Sequence, residues 1–317
     1  MKNLNMSIEA FTNELEREMK RLRPGRNVRR LTTSKPERDY TTLAYEVDRS
    51  SSEPSISPCI YVEMFYADYL KGTPMEDIKN ALEDIVYSKP PEFGFNPVSY
   101  DSVKEHLLIR VMSLEQGTRY MNTHPHKVVE DLVILYSVHM PSTIDEGFYL
   151  CLITNSLLEH FGITSDQLHE DAVLNSAANF PIAFKSMDHL AMEAAVDKMP
   201  ECLFEEDNLG WVTEYLEETC TGSNMYVLSN ELKSNGAAVL FYPGLLQFLT
   251  EELDAEELLI LPTSVDEIIV IPDAIDEAEV YRQSVIQTNL EYLEPARRLS
   301  NNVYGYHAGD DVFYKIS

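Results

Sequence analysis

Apolar positions recur at helical spacing near the start of the chain. Phe11, Leu15, Met19 and Leu22 fall three or four residues apart, so they share one face of a helix. Ser7 ahead of them is a good N-cap, and Pro24-Gly25 cannot continue the helix. The pattern therefore predicts a helix over 7–22, followed by short strands over 27–33 and 40–47 and a Ser- and Pro-containing loop over 49–58. Tyr61, Phe65 and Tyr69 form a second stripe, read as core rather than as a ligand platform. Thr73 is placed to cap a third helix with Pro74 at its first position, and Met75, Ile78, Leu82 and Ile85 as its buried face.

Strands are expected over 103–112, 128–138 and 147–153, the last two joined through Pro141-Ser142-Thr143-Ile144-Asp145, and helices over 164–178 and 187–197. Residues 199–222 are acidic, irregular and hold the single tryptophan, Trp211. Beyond them come a strand over 225–228, turn formers over 230–236, a second strand over 237–242 and a helix from Pro243 to about 253. Two apolar, β-rich runs, 258–261 and 268–271, are separated by Pro262-Thr263-Ser264; a long helix over 275–290 and a strand pair within 303–316 close the chain. The order implies an α+β fold, with mixed or antiparallel sheets and helices packed on them. Two subdomains are expected, an N-terminal α+β one over 1–198 and a C-terminal β-β-α-β-β-α one over 225–317, joined by an acidic segment over 199–224.

Charge changes this picture most. The chain of 317 residues has 25 Lys and Arg against 53 Asp and Glu, a net of −28. Residues 1–40 hold ten Lys and Arg against six acids, so the remainder carries all of the negative excess. Arg17, Lys20, Arg21, Arg23, Arg26, Arg29 and Arg30 form a basic stretch that reads either as a phosphate- or RNA-binding element or as a partner for acids of the same chain. From 235 to 281 there are eleven acids and no Lys or Arg, where an ordinary solvated surface mixes both signs. Such a field repels nucleic acid and anionic membranes and attracts basic surfaces. The four cysteines, Cys59, Cys151, Cys202 and Cys220, are scattered without a CxxC pair and read as buried or half-buried thiols of a reducing compartment. No run of 18 apolar residues occurs and the N-terminus lacks a signal-like apolar stretch, which together point to the cytoplasm.

Catalytic signatures are missing from the sequence. There is no GxxxxGK[ST], GxGxxG, GxSxG or SxxK, and His169-Glu170-Asp171-Ala172-Val173 lacks the second histidine of a zinc helix. His124-Pro125-His126, with Glu130 and Asp131 nearby, is the best metal candidate, but a loop entering a strand is the favoured reading; neither a metal nor a cofactor is expected. Thr263-Ser264-Val265-Asp266-Glu267 suits a turn between strands.

The C-terminal third resembles a family of uncharacterised clostridial proteins, a domain of unknown function. The resemblance rests on Tyr226-Val227-Leu228-Ser229-Asn230, Asn235-Gly236-Ala237-Ala238, Tyr242-Pro243-Gly244-Leu245-Leu246, the run Ile260-Leu261-Pro262-Thr263-Ser264-Val265-Asp266-Glu267, Pro272, and Leu299-Ser300-Asn301-Asn302-Val303-Tyr304. Upstream, Tyr61-Val62-Glu63, Phe65-Tyr66, His124-Pro125 and Asp131-Leu132 sit in the expected order. That family favours His where this chain has Asp266, so a role needing imidazole would be lost here. The resemblance implies a bacterial, cytosolic protein of a kind found with mobile-element genes, and implies no activity.

The functional expectation is a non-catalytic acidic protein that binds a basic protein surface. One form of it is a nucleic-acid mimic of the anti-defence type, inhibiting a nucleic-acid-binding enzyme, since rows of carboxylates imitate a phosphate backbone. The binding residues would be Glu251, Glu252, Asp254, Glu256, Glu257, Asp266, Glu267, Asp273, Asp276, Glu277 and Glu279. No direct nucleic-acid or membrane contact is expected at the acidic body. Two alternatives stay open: an enzyme with its site near the 262–267 turn, and a scaffold or adaptor.

Overall fold

The computed structural model describes residues 6–34, 38–46, 59–88, 95–97, 99–141, 148–197 and 222–316. It divides into two compact units, Met1–Val103 with Met140–Tyr149, and Lys104–His139 with Leu150–Ser317. The expected boundary segment, 199–224, lies outside the described residues apart from its last three, as do Trp211, Cys202 and Cys220.

The first unit opens with α1, Ile8–Leu22, whose cap Ser7 accepts a hydrogen bond from Ala10 N at 3.3 Å. Its apolar stripe is buried as the spacing predicts. Strands β1, Val28–Ser34, and β2, Asp39–Tyr45, form an antiparallel hairpin with Val28 opposite Tyr45, and the short β3, Ile60–Tyr61, adds to β2. Helices α2, Val62–Leu70, and α3, Met75–Tyr87, follow, then the single turn α4, Tyr100–Val103. Phe11, Leu15, Met19 and Leu22 of α1 make one core with Leu43 and Tyr45 of β2, Ile60, and Ile78, Leu82 and Val86 of α3. Phe65 and Tyr69 pack against it, and Phe11 lies 5.3 Å from the rings of both Tyr66 and Tyr69. Ser7→Ala should cost about 1 kcal/mol in a urea melt, the usual loss of one capping hydrogen bond.

Two details of α3 differ from expectation. Pro74 is itself the cap, with ψ at 144°, so the helix begins at Met75 and no side chain caps it. Ile85 is 37% exposed and Val86 takes its place in the core, because the buried positions run 78, 82, 86. The basic stretch pairs within this unit: Arg17 with Glu14, Lys20 with Glu16, Arg21 with Glu18, Arg29 with Glu46, and Arg30 with Glu9 and Glu16.

The second unit contains two sheets. In the smaller, β4, Leu107–Ser113, leads into the single turn α5, Leu114–Gly117; β5, His126–Val129, β6, Leu132–Pro141, and β7, Phe148–Leu152, follow, with β6 central. The single strand expected over 128–138 is a hairpin, in which Val129 faces Leu132 across Glu130-Asp131 and Glu130 turns at φ 55°. The strand expected from 103 starts only at Leu107, because 100–106 coil into helical turns. Helices α6, Asn155–Phe161, and α7, Ser165–Asn179, come next, and Ser176 Oγ of α7 accepts from Ile109 N of β4 at 2.8 Å.

The larger sheet is wholly antiparallel. Its strands are β8, Ile182–Ser186, β9, Tyr226–Asn230, β10, Glu257–Leu261, β11, Ile268–Pro272, β12, Val303–His307, and β13, Val312–Ile316, in the order β13-β12-β10-β11-β9-β8. Helix α8, Met187–Val196, follows β8; α9, Leu245–Glu252, precedes β10; α10, Ala278–Glu291, precedes β12. Strands β8 and β9 flank the 199–224 segment and pair directly, Ile182 opposite Asn230 and Ser186 opposite Tyr226. The run 237–242, expected as a strand, is a 3-10 helix, Gly236–Phe241, with Ala237 to Leu240 buried. Asn235 at φ 52° turns the chain out of β9 into it. An apolar run buried on all sides has no periodicity to tell a strand from a short helix.

Candidate functional site

Antiparallel pairing gathers most of the candidate acids at one end of the larger sheet. Leu258 pairs with Pro272, and Glu257 with His307, so the start of β10, the end of β11 and the end of β12 lie together. Asp273 Oδ1 accepts from the amides of Glu256 at 3.0 Å and Glu257 at 3.2 Å, which ties the two connections to each other. Glu251 and Glu252 end α9 just ahead of Asp254, and Asp276, Glu277 and Glu279 lead into α10. The turn between β12 and β13 adds Asp310 and Asp311 at the same end, although both lie outside the acidic run of 235–281.

Turn chemistry explains part of this clustering. Asp254, Asp273 and Asp311 have φ of 51°, 48° and 50°, a left-handed conformation that Asp tolerates better than most side chains. The remaining acids have no such backbone role. Of the nine candidates at this end, Glu257 is half-buried and the other eight are exposed. Of these nine, only Glu279 has an ion-pair partner among the described residues, Arg282 at 2.8 Å; that bond and one from Gln283 hold its carboxyl down to about 2.

Asp266 and Glu267 are not part of this face. They sit on the β10–β11 turn, at the opposite end of strands that are five residues long, or about 13 Å away. Asp266 is occupied internally: Oδ1 accepts from Asn235 N at 2.7 Å, Oδ2 from Arg297 Nη2 at 2.6 Å, and its carbonyl from Ser229 Oγ at 2.6 Å. Asp266 N donates to Ser264 Oγ, and Val265 N to the Arg297 carbonyl. Asn235 Nδ2 reaches the Ile109 carbonyl of β4 at 3.1 Å, and Gln116 Nε2 donates to Pro295 O at 2.6 Å. Four segments thus meet here: β4 with α5, the turn after β9, the β10–β11 turn, and the 3-10 turn Pro295–Arg297.

A third junction joins residues far apart in sequence. The carboxylate of Asp131, on the β5–β6 turn, accepts from Ser300 Oγ at 2.7 Å, Asn302 Nδ2 at 2.9 Å and Tyr304 OH at 2.9 Å. Burial alone would raise the Asp131 pKa, but the three donors outweigh it and the net direction is down. Burial pushes the Tyr304 phenol up, so it stays a donor. Both halves of this junction, Asp131-Leu132 and Leu299-Ser300-Asn301-Asn302-Val303-Tyr304, belong to the runs that carry the family resemblance.

The histidine pair is dispersed. His124 Nδ1 lies 2.9 Å from Thr123 Oγ1 and its ring packs on Tyr120, His126 Nδ1 bonds the His124 carbonyl, and Asp131 is turned to the junction just described. Among the described residues no three His, Cys, Asp or Glu side chains are grouped to hold a metal. Cys59 and Cys151 are exposed rather than buried. No described helix is long and apolar enough to cross a membrane.

A family model, described as a family of unknown function (DUF5688), matches residues 8–308. The chain belongs to that family. No curated protein and no solved structure matches it.

Proposed function

We propose that this member of a family of unknown function is a non-catalytic protein whose acidic sheet end docks a basic protein surface. The supporting observation is the convergence of nine candidate acids from two connections, the one before β10 and the one after β11, on one end of the sheet, eight of them exposed and one ion-paired. Like charges so gathered repel one another, and a cationic partner would relieve that repulsion while being steered to this end. A nucleic-acid-binding enzyme is the favoured partner, because its groove is already shaped for a row of anions. A clostridial source and a mobile-element setting would fit that reading, as would a place in the cytoplasm. An enzyme working at the 262–267 turn is the weaker reading, since both carboxylate oxygens of Asp266 already have partners.

The test is capture from a bacterial lysate at low salt, comparing the wild type with a variant carrying Glu251→Lys, Glu252→Lys, Glu256→Lys and Asp276→Lys. Basic nucleic-acid-binding proteins should be retained by the wild type, released as salt approaches about 0.5 M, and missed by the variant. The substitutions are on exposed positions, so urea melts should stay within about 1 kcal/mol of wild type. Equal capture by both proteins, or capture insensitive to salt, would remove this function from the acidic end.

A further inference from the structure

We propose that the outward face of α10 is a self-association surface, on which the same helix of a second copy of this chain lies antiparallel. Val280, Leu290 and Tyr292 are 67%, 69% and 78% exposed, more than any other large hydrophobic side chain among the described residues. All three sit on α10 or at its C-cap. A groove follows the same face, lined by Val280, Gln283, Gln287 and Leu290, with Ser284 and Ile286 beside them.

The helix is apolar on two opposite sides. Ala278 and Val285 turn inward and are buried in one cluster with Leu259, Ile271 and Val303 of the sheet. Val280, Gln283, Gln287 and Leu290 turn outward at spacings of three, four and three residues. That is the seam spacing of a coiled coil. A helix packed on a core ordinarily shows charged and polar residues on its far side. Here the seam and its neighbours Ser284 and Ile286 carry no charge, in a chain of net charge −28.

The occupant that fits is the same face of another copy. Antiparallel packing sets Val280 against the partner's Leu290 at each end of the seam, and Gln283 against the partner's Gln287 in the middle. Gln283 and Gln287 each give one N–H to a carboxylate of their own helix, Glu279 and Glu291. Each keeps a second N–H and its oxygen for the facing amide. A polar layer inside such a seam fixes register at some cost in strength. Charge is compatible as well. Glu279 and Glu291 lie on opposite flanks of the seam, so Glu279 would pass the partner's Ile286, and Glu291 the partner's Ser284. No carboxylate meets another. The acidic end lies at the start of α10, so the two acidic ends would stand a helix length apart, about 20 Å, beyond the screening distance. A seam 14 residues long is at the small end of specific interfaces, so association should appear only at about 10 μM and above.

Sedimentation equilibrium of the full chain, from about 1 to 500 μM, tests this. The mean mass should rise from 36.2 kDa towards twice that value. Raising salt from about 0.05 to 0.5 M should tighten association at least about threefold, because screening relieves repulsion between two copies of like charge. Capture of a basic partner by the acidic end responds to salt in the opposite sense, so the two ideas fail separately. Val280→Lys and Leu290→Glu should each weaken association at least about tenfold, since each would bury two unpaired charges per dimer. Both positions are exposed, so the urea midpoints should stay at the wild-type value. Mixed in equal amounts, the two variants should associate again, because the antiparallel register sets one substituted position opposite the other. A mean mass that stays at one copy throughout, association untouched by Leu290→Glu, or a mixture no tighter than either variant alone would each overturn the proposal.

Discussion

Replacing Gly236 by alanine should cost at least about 3 kcal/mol in a denaturant melt, more than ordinary overpacking. A Cβ at this position would stand inside contact distance of Ser229 Oγ and the Asp266 carbonyl, and 2.9 Å from Asn230 N. Two of those three atoms are backbone, and the third makes the 2.6 Å bond from Ser229 to Asp266. The requirement is closeness rather than handedness. The end of β9, the β10–β11 turn and the start of the 3-10 helix all converge on one hydrogen atom's worth of space. Gly305→Ala is the control, because the three atoms nearest its Cβ would all belong to the far end of the Tyr314 side chain, which can swing aside where backbone cannot. Equilibrium urea unfolding of both variants should rank Gly236→Ala well below Gly305→Ala. A Gly236→Ala midpoint matching wild type would contradict this packing.

Asp131→Ala should cost about 3–4 kcal/mol, and the loss should depend on pH. Removing the carboxylate strands three donors, and Tyr304 is fully buried, so its hydroxyl cannot turn to water. Each orphaned donor costs about 1–3 kcal/mol, and neighbours in one network do not simply add. Because the folded pKa of Asp131 lies below its unfolded value, the ionised carboxylate stabilises the fold above about pH 3.9. That contribution fades as pH falls through the folded value. The gap between wild type and Asp131→Ala should therefore be full at pH 7 and narrow on acidification towards pH 3. Urea melts across that range measure it directly. A gap independent of pH would mean that the carboxylate acts only by filling space.

The elements that were legible in the sequence are those with one clear apolar face or a complete turn signal. Helix α1 declares itself through Phe11, Leu15, Met19 and Leu22 with a Ser cap, and β10 and β11 through apolar runs on either side of Pro262. The missed elements lack such a signal. Ala237 to Leu240 is buried all round, so period cannot decide it. Glu130-Asp131 holds neither Gly nor Asn, yet Glu130 takes a positive φ to close a hairpin. Strand β8 and helix α6 went unrecognised, each being short and half-exposed.

The candidate site was legible only in part, for a topological reason. Single-sign charge is a property of a stretch of sequence, but an antiparallel sheet folds that stretch back on itself. Asp266 and Glu267 lie midway along the acidic run and are carried to the far end, while Asp310 and Asp311, outside it, join the near end. The Asp131 junction was present in the sequence as two unconnected fragments, because its partners are 169 to 173 residues away.

The gathering of acids at one end of β10 and β11, with Asp266 paired to Arg297 at the other, also gives the larger sheet a permanent electric dipole parallel to its strands. A dipole feels a torque in the field of a charged surface before any contact forms. A cationic partner approaching from any side would rotate the sheet so that Glu256 and Asp276 lead, and an anionic one would turn it the other way. Orientation would then be settled during diffusion, with side chains left to decide only the final fit.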